Sequence, residues 1–140
     1  MNIDGVNTGI VLDHIHAGKS MKIYELLGLD KLDCPVAVIQ NADSKKYGKK
    51  DIIKIDSIID LDFDLLGYVD PNITVNIIRD KKLVKKAHME LPKELVNVIK
   101  CNNPRCITST EHGVEHRFVL SDPDKRIYRC KYCDIDHKEK

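Results

Sequence analysis

The chain has 140 residues, 42% of them apolar and 32% charged, and a formal net charge of +1. This composition excludes a disordered tail, and the near-neutral balance excludes a nucleic-acid footprint spread over the whole surface. No apolar run reaches the roughly 18 residues that a membrane span needs. The opening MNIDGVNTG also lacks the basic start and apolar stretch of a secretory leader, so a cytoplasmic protein is expected.

GIVLDHI (9–15) is a short apolar run with the look of a strand. The Gly-Lys-Ser at 18–20 resembles the tail of a P-loop. That loop needs a glycine five positions before Gly18, where this chain has Asp13, a carboxylate that repels phosphate. KSMKIYELLGLD (19–30) shifts to a helical period through Ile23, Leu26 and Leu27, and Gly28 suits its end. CPVAVIQNA (34–42) and DIIKIDSI (51–58) read as strands around a polar turn or loop at 41–50. DLDFDLLGYV (60–69) reads as a short helix whose aspartates sit near the positive end of its dipole. NITVNII (72–78) and KLVKKAHM (82–89) alternate, with RDKK as a tight hairpin between them.

The order βαββαβ, with one further strand, points to an α+β, ferredoxin-like antiparallel sheet. ELPKELVNVIK (90–100) reads as a short linker helix after Pro92, and the domain boundary falls in this stretch. Neither side of it is strongly charged. Residues 1–97 carry 14 basic and 15 acidic side chains, and residues 98–140 carry 9 and 7.

Four of the five cysteines lie in the last part of the chain: Cys101 and Cys106 in CNNPRC, Cys130 and Cys133 in RCKYC. Two knuckles of this kind can bring four thiolates to the corners of a tetrahedron, the geometry of a closed structural zinc site with no open position for catalysis. A segment of about 40 residues buries too little apolar surface to fold alone, so one structural zinc ion is expected to staple a small all-β domain. Two disulfides, or one of His112, His116 and His137 replacing a cysteine as ligand, remain alternatives at this level. Cys34, in its apolar run, reads as a small buried side chain.

The chain shows no Ser–His–Asp, GxGxxG or HExxH signature. Lys50 and Lys54 are four apart on one side of a strand, and Lys81, Lys82, Lys85 and Lys86 follow. Such lysines are either solvated strand edges or a grip for a triphosphate, with Asp13 accepting from ribose hydroxyls and His14 donating to a phosphate. A zinc-ribbon nucleic-acid-binding protein is the alternative. It would need a basic face with stacking aromatics, and the zinc region has Phe118, Tyr128 and Tyr132 with almost no charge excess.

VLDHI, GKKDIIKI, TVNII, LPKELVNVIKCNNPRCI and RCKYC, in that order, closely resemble the regulatory chain of aspartate carbamoyltransferase over essentially the whole sequence. The resemblance implies a non-catalytic subunit. Residues 1–93 would form an allosteric domain binding CTP as inhibitor and ATP or UTP as further effectors, and pairing through its sheet with a second regulatory chain. Residues 98–140 would form the zinc domain that docks on the catalytic chain, which carbamoylates aspartate in pyrimidine biosynthesis. By motif, Val6, Asp13, His14, Lys54, Leu83 and Lys86 match the family's nucleotide contacts, and Lys50 and Asn76 match positions tied to the effector signal. Lys81 departs from the aromatic residue that the best-known members carry beside the base, so base preference is not carried over.

Overall fold

The computed structural model describes residues 6–46 and 48–138. The opening residues 1–5, read above as free of a leader, and Tyr47 of the expected 41–50 loop lie outside the described residues. The chain divides into two compact units, residues 1–90 and 91–140. No helix among the described residues is long and apolar enough to cross a membrane.

The first unit runs β1 (Gly9–His16), α1 (Ser20–Leu26), a single 3-10 turn at Leu29–Lys31, β2 (Val36–Ser44), β3 (Gly48–Ile55), α2 (Phe63–Val69), β4 (Thr74–Arg79) and β5 (Lys82–His88). Its sheet has the order β2-β3-β1-β4-β5 with every pairing antiparallel. The four strands β2-β3-β1-β4 are the ferredoxin-like arrangement expected from the βαββαβ order, and β5 extends its edge.

Strand register sorts the sheet into two faces. Ile10 pairs with Ile55 and Ile77, and Leu12 with Ile53 and Val75, so these branched side chains share one face. Asp51 has the same parity on β3, and its carboxylate bonds the hydroxyl of Ser20, the first residue of α1. The helices therefore cover this face, adding buried Ile23, Leu66, Tyr68 and Val69. On the opposite face a smaller cluster joins Val6, Val11, Ile52 and Ile78, with Ile39 and Ala42 packed against it.

Local signals explain the element ends. Gly28 takes φ +65 just past the Leu27 cap and ends α1 where the sequence period expects it to. Asp62 caps α2 by accepting from the Leu65 amide at 3.1 Å. Gly9 opens β1 where no other residue fits, because a Cβ there would lie 2.1 Å from the Ile55 carbonyl oxygen. The expected loop at 41–50 is shorter than its composition suggests: Ala42, Asp43 and Ser44 pair with Lys50, Lys49 and Gly48, so strand runs almost to the turn.

The second unit is a sheet of order β6-β7-β8-β9, built from β6 (Glu94–Val96), β7 (Arg117–Asp122), β8 (Ile127–Cys130) and β9 (Asp136–Lys138), with one helical turn, α3 (Ile107–Thr110). The linker helix expected over 90–100 is not formed. Its centre is β6, because Glu94, Leu95 and Val96 find partners in Val119, Phe118 and Arg117 far along the chain. Leu95, Phe118 and Tyr128 are the large apolar side chains it buries, and the Tyr128 hydroxyl donates to the Pro92 carbonyl at 2.6 Å.

Candidate functional site: a cationic sheet face and a four-cysteine cage

On the face of the sheet away from the helices, register sets Lys54, Val11, Asn76 and Lys86 in one cross-strand row over β3, β1, β4 and β5. One step along, Asp13 lies opposite Thr74, and Thr74 opposite His88. Lys54 is 5% exposed and Asn76 is 7% exposed, so the middle of the row is buried, while Lys86 at its end is exposed. The Asn76 side-chain amide donates to the Val11 carbonyl at 3.3 Å, which fixes its orientation across the two central strands.

A bulge in β1 between Leu12 and Ile15 lifts Asp13 and His14 out of regular pairing. His14 sits at φ +59, a left-handed conformation unusual for a residue other than glycine. Its Nδ1 lies 3.2 Å from the Thr74 hydroxyl. The Asp13 carboxylate accepts from the His14 amide at 2.7 Å and pairs with Lys50 Nζ at 2.9 Å. Partial burial pushes the Asp13 carboxyl up, but the Lys50 ammonium and the His14 amide outweigh it and hold the group below its ordinary value. Burial drives His14 in the other direction. It lowers the imidazole below 6.5, Lys50, Lys86 and Lys46 add to the effect, and Asp13 opposes it. The His14 imidazole is thus biased toward its neutral form beside several cations.

The other residues implied by the resemblance are more dispersed. Val6 is 4% exposed and already packed in the cluster with Val11, Ile52 and Ile78. Leu83 and Val84, on β5, are about half exposed. Lys81 takes φ +64 at the tip of the β4–β5 hairpin, and its amide donates to the Asn7 carbonyl at 2.8 Å.

The Gly-Lys-Ser stretch holds no external phosphate loop. Asp51 fills it: its Oδ2 accepts from the Gly18 amide at 3.1 Å, the Ser20 amide at 3.2 Å and the Ser20 hydroxyl at 2.5 Å. The Lys19 ammonium is used as well, donating to the Val69 carbonyl at 3.0 Å. Burial raises the Asp51 carboxyl, and these donors together with the Asn41 amide more than reverse that, leaving it below its usual value. Sequence reasoning missed this aspartate. Its only signal was a lone acid at the start of an otherwise apolar strand.

In the second unit the Cys101, Cys106, Cys130 and Cys133 sulfurs all lie within 4.8 Å of one another. Cys101 Sγ is 3.6 Å from Cys133 Sγ, and Cys106 Sγ is 3.7 Å from Cys130 Sγ. A disulfide would need about 2.05 Å, so these are four thiols gathered into a cage. Cys106 precedes α3, and the Thr108 hydroxyl donates to its sulfur at 3.1 Å. Cys130 ends β8, whose pairing to β7 sets it opposite Phe118.

Burial pushes the Cys101 thiol up to about 12 and raises Cys130 as well. Burial also acts upward on Cys133, yet the Ile135 amide and neighbouring donors bring it to about 7. Four crowded sulfurs cannot all ionise unaided. A cation at their centre is what lets them do so. None of the three histidines weighed as alternatives joins the four. His116 Nδ1 accepts from the Cys101 amide at 3.2 Å, His137 packs edge-on against Phe118, and His112 lies exposed in a turn.

Comparison with known proteins agrees with both regions. Residues 1–90 match the family described as aspartate carbamoyltransferase regulatory chain, allosteric domain, and residues 93–140 match its metal binding domain. The chain is 51% identical over 138 residues to an aspartate carbamoyltransferase regulatory chain of Clostridium acetobutylicum, covering 99% of this chain and 94% of that one. It is 50% identical to that of Clostridium tetani, covering 99% and 96%. Identity to that of Bifidobacterium longum is 44%, covering 99% of both. With an allosteric fold, a four-cysteine cage and these relatives, the chain belongs to the family of aspartate carbamoyltransferase regulatory chains and is a regulatory, non-catalytic subunit.

Proposed function

We propose that the first unit binds a nucleoside triphosphate, CTP foremost with ATP and UTP as further effectors, on its open sheet face, and that the second holds one structural zinc ion and docks on the catalytic chain of aspartate carbamoyltransferase. The observation that carries the nucleotide reading is the convergence on His14. Lys50, Lys86 and Lys46 all act on its imidazole electrostatically, and Lys54 lies in the adjacent row. Point charges of this kind suit a flexible triphosphate. In this reading Lys54, Lys86 and His14 take the phosphates and Asp13 the ribose. Val6 and Leu83 flank the base. Lys50 and Asn76, tied to Asp13 and to β1, relay occupancy into the sheet.

The metal reading rests on sulfur spacing. Zinc–thiolate bonds of about 2.3 Å place tetrahedral sulfurs about 3.8 Å apart. The two shortest separations here, 3.6 and 3.7 Å, fit that cage. Such a site is closed, so zinc would fold the docking surface and take no part in chemistry.

Regulation then follows from linkage. A nucleotide shifts the assembly only by its difference in affinity for the more and less active states, typically about 1–3 kcal/mol. A second regulatory chain pairs with this one through its sheet, and the assembly works in the cytoplasm on pyrimidine biosynthesis, with no nucleic acid or membrane as partner.

Calorimetric titration of the full, zinc-loaded chain with CTP tests the pocket. Lys86→Ala is expected to weaken binding about tenfold, or about 1.4 kcal/mol. Unchanged affinity would remove the pocket. Assembly with the catalytic chain, followed by aspartate saturation with and without CTP, tests the regulatory output.

A further inference from the structure

Asp51 is a buried carboxylate that the proposed pocket does not use. It is 0% exposed, on β3 between Lys50 and Ile52, and points to the helix-covered face. Both neighbours of β3 lose their regular register beside it. β1 bulges between Leu12 and Ile15, where Asp13 and His14 lie, and β2 between Ile39 and Ala42, where Gln40 and Asn41 lie. His14 and Asn41 take φ +59 and +60 there.

Bulges of this kind release amide hydrogens from the ladder, and a buried amide without a partner is costly. Asp51 takes one of them from β2 and adds two amides from the turn after β1. Its Oδ1 accepts from the Asn41 amide at 3.1 Å, and its Oδ2 takes the Gly18 and Ser20 amides and the Ser20 hydroxyl. On the other side of His14, Asp70 is 1% exposed and accepts from the His16 amide at 2.8 Å and the Asn72 amide at 3.0 Å. The segment from His16 to Ser20, which follows the β1 bulge, is therefore held through its backbone by two buried carboxylates. Asp51 also joins that segment to the bulge of β2 across β3.

We propose that Asp51 is a positioning residue of the effector pocket: by tying the β2 bulge and the turn between β1 and α1 to β3, beside the β1 bulge, it sets the Lys50–Asp13 pair and the outward turn of His14, and triphosphate affinity depends on it although it never touches the ligand. This inference rests on the nucleotide reading of the open face. A carboxylate serving only to start α1 would have no reason to take the Asn41 amide from β2, two strands away from β1.

The test is calorimetry with CTP on the full, zinc-loaded chain. Asp51→Asn keeps the shape but sets an NH2 group against either the Asn41 amide or the Gly18 and Ser20 amides, and CTP should bind at least about tenfold more weakly. The His14 imidazole signals in 1H–15N spectra should double or broaden as the bulge loses its single conformation. Leu66→Ala, in α2 and 1% exposed, serves as a stability control. It should lower the melting temperature yet leave CTP affinity within about twofold, since it is remote from the pocket.

Unchanged CTP binding in Asp51→Asn, or equal weakening in both variants at matched melting temperature, would overturn the proposal. If Asp51→Asn does not fold, the wild-type chain decides: CTP must shift the Gly18, Ser20 and Asn41 amide signals, and stationary signals refute the coupling. Lys86→Ala, run in parallel, separates the two readings. No effect there removes the pocket itself, whereas weakening there with none in Asp51→Asn removes only the clamp.

Discussion

Ile10, Leu12, Ile53, Ile55 and Val75 give the first unit a core of interleaved branched side chains, whereas the second, among its described residues, buries only Leu95, Phe118 and Tyr128 as large apolar side chains beside three of its cysteines. At roughly 1.5–3 kcal/mol per buried aliphatic side chain, the first unit can carry its own entropy of folding and tolerate unusual backbone on its open face. His14, Asn41, Asp80 and Lys81 all take left-handed φ in that unit. The second unit has no such reserve, and four sulfurs converge beside its small core. The difference teaches that a large core leaves one unit a face to spare for the proposed ligand, while the other has a cage whose filling would add the stability its core lacks.

The most severe way to break this comparison is to withdraw the metal. Chelation, or Cys101→Ala, should unfold the second unit, since structural zinc sites supply about 10–16 kcal/mol of folding free energy. The amide signals of residues 6–90 should stay dispersed while those of 91–138 collapse. Survival of both sets would show that Leu95, Phe118 and Tyr128 suffice after all.

The reverse experiment is Ile53→Ala, at a site 0% exposed. It should destabilise the first unit by about 2–5 kcal/mol in denaturant titration while leaving metal content at one ion per chain. Loss of metal in that variant would mean that the two units do not stand separately.

A smaller effect sharpens the contrast on the open face. The folded state holds His14 below 6.5, so the unfolded chain binds this proton more tightly. Stability from this group is present above pH 6.5 and is lost as pH falls below it. A bound triphosphate favours the imidazolium, so binding should take up protons and tighten as pH drops toward the native value. Calorimetry near pH 6.5 in buffers of different ionisation enthalpy reads the uptake, and His14→Asn should abolish it. Proton release would contradict the assignment of His14 to phosphate.

The smallest change is expected at Arg117, whose guanidinium reaches Glu94 at 3.0 Å and Glu115 at 2.6 Å on the surface of the second unit. Arg117→Ala should leave the denaturation midpoint of metal-loaded protein almost unchanged, because exposed ion pairs are screened. A larger loss would mean that surface charge shares the work of the cage.

The sequence carried the strands and helices whose signal is local. The apolar run in GIVLDHI, the alternation in NITVNII, the aspartates before Phe63 and the spacing of CNNPRC and RCKYC all lie within a few residues of the features they specify. What it did not carry depends on distant partners. Glu94, Leu95 and Val96 have helical company in sequence, and only pairing to Val119, Phe118 and Arg117 makes them a strand. The pocket was half legible. Lys50 and Lys54 share a side by simple period two, but the row joining Lys54 to Lys86 requires the register of four strands. The bulge that displaces Asp13 and His14 beside that row leaves no mark in composition, and Asp51 looked like an ordinary strand-end acid because most of its partners are backbone amides.

Gly9 shows how little the open face can do without the ladder beneath it. With the Ile55 oxygen 2.1 Å from where a methyl carbon would sit, any side chain at this position pries β1 from β3 at the rung next to Ile10–Ile55. A change in one codon there would remove folded protein, whereas a change at Lys86, an exposed lysine of the proposed pocket, is expected to remove only responsiveness. Mutational drift should therefore be able to retune the sensing of metabolites long before it can touch the first residue of the first strand.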